Sequence, residues 1–136
     1  PHHDVPKAID VFGNTVLARG SGVRITGGAT GYAQRAFGNA VFAASPLSGG
    51  EQRDNVTASR ASAATYLSAP DAPLGTFDAF PRIGALRGTA IDVSPATGFT
   101  DFGKDFGGQS RDWTLRGAHA GEGANPGWLP KLEIKP

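Results

Sequence analysis

Val11-Phe12-Gly13-Asn14-Thr15-Val16-Leu17-Ala18 returns 25 residues later as Ala36-Phe37-Gly38-Asn39-Ala40-Val41-Phe42-Ala43. The aromatic, the glycine, the asparagine, the valine and the closing alanine fall in the same places. A self-similar period of roughly 20 to 50 residues marks a solenoid, in which each repeat buries its apolar face only against its neighbours. Two clear copies are too few to stand alone, so the octet predicts a stack of turns that needs further partners.

Around the octets the apolar residues come in short runs, and Val23-Arg24-Ile25-Thr26 alternates as a strand does. One turn of the repeat is predicted to hold a strand near 15–18, a tight turn at Gly20-Ser21-Gly22, a strand near 23–26, a wider loop and a return. Gly27-Gly28-Ala29-Thr30-Gly31 reads as a corner, since it lacks the Lys-Ser/Thr of a phosphate loop. Asn14 and Asn39 each follow a glycine, at a place where Asn tolerates the left-handed conformation. A third echo, Asp54-Asn55-Val56-Thr57-Ala58, follows Gly49-Gly50. Asparagines stacked turn over turn form a hydrogen-bonded ladder, so Asn14, Asn39 and Asn55 are assigned a structural role.

Composition agrees with a turn-dense all-β protein: 20 glycines and 10 prolines accompany a 39% hydrophobic content in 136 residues. Thirteen basic and twelve acidic side chains are scattered singly, without the basic patch that nucleic acid requires. Cysteine is absent, which removes disulfides and thiolate metal sites. No apolar run approaches the ~20 residues that span a bilayer. Methionine is absent too and the chain begins at Pro1, so a processed product or a fragment is expected; Pro1-His2-His3-Asp4 also reads as a tag remnant.

Past the repeats the pattern changes. Ala58 to Leu67 suggests a short helix or an irregular last turn. Pro70, Pro73, Pro81 and Pro95 then cut the chain into short extended pieces. A last strand is predicted at Trp113-Thr114-Leu115-Arg116. The divisions expected are an extension over 1–8, stacked turns over 9–67 and an irregular C-terminal cap over 68–136, since a terminal turn otherwise exposes unpaired backbone.

The Asn14-Thr15-Val16 and Asn39-Ala40-Val41 phrases resemble the repeats of secreted bacterial right-handed parallel β-helix proteins of the pectate-lyase-like kind. Pro81-Arg82-Ile83-Gly84, then Asp105-Phe106-Gly107-Gly108-Gln109-Ser110-Arg111, then Arg116-Gly117-Ala118 look like the ending of many such chains. The resemblance implies a right-handed parallel β-helix outside the cytoplasm, secreted or periplasmic. It carries over no catalytic motif, because the match is to the terminal end.

Candidate chemistry is correspondingly thin. Asp101-Phe102-Gly103 and Asp105-Phe106-Gly107 spell a kinase metal-binding triplet without its companion motifs. Asp105 and Arg111 are expected to pair across a glycine turn and pin the terminal loop. Asp101, Asp105 and Asp112 are candidate calcium ligands, although they lack the spacing of a twelve-residue calcium loop; no other cofactor is expected. His2, His3, Asp4 and His119 carry zinc-binding atoms. For a glycan, Trp113 beside Arg111 and Arg116, with Tyr32, is the candidate contact, against a reading of Trp113 and Trp128 as aromatics that cap the core. The function expected is therefore structural: the last turns and cap of a larger extracellular β-helix, whose partner is the remaining turns or another chain, with polysaccharide contact. The alternative is part of a polysaccharide lyase, for which Arg35, Arg53, Arg60 and Lys104 are the basic residues to test.

Overall fold

The computed structural model describes residues 5–135 and is all-β apart from short helical turns. Eight strands make three passes. The first holds β1 (Ile9–Phe12), β2 (Thr15–Leu17) and β3 (Ser21–Arg24). The second holds β4 (Gln34–Phe37), β5 (Ala40–Phe42) and β6 (Ser45–Ser48), and the third β7 (Glu51–Arg53) and β8 (Val56–Ala58). Like strands pair in parallel, giving the sheets β1-β4-β7, β2-β5-β8 and β3-β6. The first two passes therefore each have one strand more than the two predicted, because Ile9–Phe12 and its equivalents form their own ladder.

The register explains why two echoes are plain and the third is faint. Val11 lies on Ala36 and Thr15 on Ala40, an offset of 25. Ala36 lies on Gln52 and Ala40 on Val56, an offset of only 16. The first pass takes a long loop between β3 and β4, through Gly27–Gly31, where the second turns at once through Gly49-Gly50. The glycine-rich stretch is thus an excursion that the second pass lacks.

The asparagine ladder is present. Asn14 N–H and Nδ2 donate to Asn39 Oδ1 at 3.0 and 3.1 Å, and Asn39 N–H and Nδ2 both donate to Asn55 Oδ1 at 3.0 Å. The left-handed conformation, however, belongs to the preceding residue: Gly13, Gly38 and Asp54 have φ of 62°, 64° and 54°. That residue turns the chain so that the next side chain enters the stack, and Gly does this at least cost.

Two outer clusters cover the ladders. Ala40, Phe42, Ala63, Leu67 and Leu86 form one, with Leu17 and Ala79 packed on it. Phe37, Ile91 and Ala96 form the other, with Phe12, Phe102 and Trp113 against it. Ala36 and Val41, 1% and 0% exposed, belong to neither cluster and lie on the opposite strand faces, between the sheets. The helical reading of 58–67 survives as a 3-10 turn at Arg60–Ser62 and one turn of helix, α1 (Ala63–Tyr66). β9 (Leu67–Ala69) and β10 (Asp78–Pro81) then pair antiparallel. The strand predicted at 113–116 is absent; only Leu115 bridges Arg87, because Asp112 holds the Thr114 N–H and hydroxyl in a turn.

Asn39 is fully buried, and its Nδ2 also donates to the carbonyls of Val11 and Phe37. Asn39→Ala strands all of these groups and is expected to cost about 3 kcal/mol in urea unfolding. Asn14→Ala, at the exposed end of the ladder, should cost less than about 1 kcal/mol.

Candidate functional site

The C-terminal segment is fastened to the first pass by side-chain to backbone bonds of very long range. Arg111 Nη2 donates to the Gly13 carbonyl at 2.8 Å and Nη1 to that of Gly117 at 2.7 Å. Its guanidinium lies 4.7 Å from the centre of the Trp113 ring. A Cβ on Gly13 would come within 1.8 Å of Arg111 Nη2, so glycine there serves both the left-handed φ and the close approach. Thr15 Oγ1 accepts from the Ala118 N–H at 2.9 Å. Burial holds Arg111 below the usual guanidinium range, opposed by the nearby Asp105 carboxylate.

The Asp105–Arg111 ion pair does not form. Asp105 instead accepts from the N–H groups of Gln109 at 2.8 Å and Ala120 at 2.9 Å, while Arg111 spends its donors on carbonyls. Both residues pin the terminal loop, each through backbone. Arg116, nearly buried, reaches Asp54 in the third pass at 3.3 Å, and Arg87 joins Asp112 and Glu122, each at 3.1 Å.

These contacts keep Arg111 on the Trp113 ring but tie these predicted glycan residues, with Arg116, into the fold. Trp113 packs on Phe12 and stacks on Phe102, and Arg111 and Arg116 are committed to the fold. Tyr32 is half exposed on the excursion, with the Lys7 amine 5.9 Å from its ring. The calcium candidates do not converge: among the described residues no three His, Asp or Glu side chains are placed to hold a metal ion. Asp112 is engaged by Thr114 and Arg87, and Asp101 is exposed on a turn with φ 60°. His2, His3 and Asp4 lie outside the described residues. Of the basic candidates, Arg35 pairs with Asp10 at 2.6 and 3.1 Å, Arg53 lies over Phe37, and Arg60 meets Asp71 at 2.6 Å. Lys104 is exposed at a bridge to Ser110.

Two adjoining concavities lie elsewhere. A cavity of about 220 Å³ is lined by Thr15 and Leu17 of β2, by Phe77, Asp78 and Ala79, and by Phe106, Ala118, His119, Asn125, Trp128 and Pro130. Phe106, His119, Asn125 and Trp128 also wall a second cavity, of about 310 Å³. His119 sits between Phe80 and Phe106, with ring centres 5.0 and 5.7 Å away. Asn125 Nδ2 donates to Asp78 Oδ1 at 2.9 Å, and the buried Trp128 indole N–H has no acceptor among the described residues. The sequence singled out Phe106, His119 and Trp128 for other reasons; Leu17, Phe77 and Asn125 carry no local signal of a shared site. Comparison of the chain with known protein families, curated protein sequences and solved structures finds no match.

Burial is the main influence on His119 and lowers its pKa from 6.5, against the pull of Asp105 and Asp78. The folded state then binds fewer protons than the unfolded one, so stability is present at neutral pH and is lost as pH falls below 6.5. His119→Gln should flatten that fall, measured as the change in urea midpoint between about pH 7.5 and about pH 5.5.

Proposed function

We propose that this chain is the terminal part of a right-handed parallel β-helix: its last turns and the segment that closes them, working outside the cytoplasm as a structural end. The observation that carries this reading is the unlike character of the two ends of the stack. Between the sheets, Val11 lies above Ala36 and Gln52, and Val16 above Val41 and Thr57. The lower end finishes in exposed Gln52 and Thr57, around a shallow mouth shared with Leu47 and Asn55. The upper end presents two half-buried valines. A polar layer closes a stack; an apolar layer calls for another turn above it.

In this reading the partner is a further set of turns, on the same polypeptide or on another chain. The C-terminal segment acts as a strap, since Arg111, Ala118 and Arg116 tie it to both the first and the third pass. The lyase reading gains no comparable support, because Arg35, Arg53 and Arg60 are each matched to carboxylates.

The test is the behaviour of the 136-residue chain alone. Light scattering over a concentration series should show association or low solubility driven by the upper end. Val16→Lys should relieve it, and Thr57→Lys should not. A compact, stable monomer at every concentration would overturn the reading.

A further inference from the structure

The larger part of the first cavity is built by the C-terminal segment, but its floor belongs to one strand. Thr15 and Leu17 come from β2, and no residue of β5 or β8 lines it. The cavity therefore sits at the edge of that ladder which has no partner among the described residues. Below the floor the column is already apolar: Leu17 lies on Phe42, and Phe42 on Ala58. The remaining walls come from Phe77 with Asp78 and Ala79 of β10, and from the C-terminal segment through Phe106, Trp128 and Pro130.

We propose that this cavity is the seat of one apolar side chain, leucine or phenylalanine in size, carried by a strand that pairs in parallel with the free edge of β2. Resting on the reading of the chain as the end of a longer stack, it identifies what the next turn must bring. The volume suits the cargo, for a cavity of about 150 Å³ accepts a benzene ring, and this one measures about 220 Å³.

The ladder supplies the register. Asn39 Oδ1 and Asn55 Oδ1 each accept two hydrogen bonds from the asparagine above them. Asn14 Oδ1 accepts none among the described residues and lies exposed at the top. An asparagine placed over Asn14 would continue the ladder, and the residue three positions after it would then stand over Leu17, as Phe42 stands three after Asn39. The incoming strand thus reads Asn-x-Val-Leu or Asn-x-Val-Phe, with its last side chain in the cavity. A second copy of this chain, stacked by its lower end, does not fit. It would bring Ala58 to the cavity, with Arg53 in the adjoining column.

The experiment adds a turn to the full chain by placing a duplicate of residues 9–33 directly ahead of Ile9. The copied leucine then falls over Leu17 at the natural spacing of 25. The added turn should resist protease, and the His119 ring resonances should shift on its addition. Leu17→Asp made in the copy alone should speed cleavage within the added turn by at least ~10-fold, whereas Leu17→Met in the copy should not. An added turn that is protected whether it carries leucine or aspartate, with His119 unmoved, overturns the seat and leaves the stack intact. An added turn that is digested as fast as an unfolded peptide overturns both. Self-association of the unmodified chain that shifts the same His119 resonances and is abolished by Thr57→Lys would make a second copy, stacked by its lower end, the occupant and overturn the proposal as well.

Discussion

The side chain of Asn39 is the constraint from which the rest follows. It is fully buried, and both its amide and its oxygen are used between three consecutive passes. A parallel ladder has no turn to fix its register, so a one-residue slip would move every side chain to the opposite face. Here a slip would also leave several buried polar groups without partners, each costing on the order of 1–3 kcal/mol. With the register locked, Phe12 stacks on Phe37 with centres 5.2 Å apart, and Asp10, Arg35 and Glu51 align as a column of alternating charge. Those contacts are modest alone and are aligned by the asparagines.

The same constraint frees what lies between the strands. Because the ladders are pinned at one residue per pass, the connection from β3 to β4 can lengthen by several residues without disturbing its neighbours. The closure entropy of a longer surface loop grows only slowly. This is why the repeat is readable at an offset of 25 and fades at 16, although the two junctions have the same hydrogen bonds. The sequence shows the ladder because Gly-Asn is a distinctive pair. It hides the third pass because Asp54 takes the place of glycine at the left-handed position. Carboxamide side chains tolerate that conformation, which makes Asn the natural suspect, but Asn39 is needed inside the stack.

The C-terminal half was far less readable, for a reason of distance. Arg111 reaches Gly13 across 98 positions and Ala118 reaches Thr15 across 103. A local pattern holds no trace of such contacts. Asp105 and Arg111 invite pairing by proximity and opposite charge, yet the fold points the guanidinium at the carbonyls of Gly13 and Gly117 and the carboxylate at the N–H groups of Gln109 and Ala120. Trp113 likewise reads as an exposed platform between two arginines until the covering of Phe12 and Phe37 is in view.

Edge strands invite unwanted pairing, and proteins blunt them with charge and proline. The lower edge carries both: Glu51 and Arg53 on β7, and Pro46 on β6. Compared position by position with the second pass, the third replaces Ala36 by Gln52, Phe37 by Arg53, Val41 by Thr57 and Phe42 by Ala58. Every replacement is polar or smaller, as a final layer requires. The first pass shows the reverse, keeping Val11, Phe12, Val16 and Leu17 at the same four positions. Its one edge carboxylate, Asp10, is neutralised by Arg35 and only 5% exposed. An end shaped by selection against pairing would not be apolar at four of its register positions with its edge carboxylate already paired. Under the proposed reading, the upper edge is an interior layer of a longer stack.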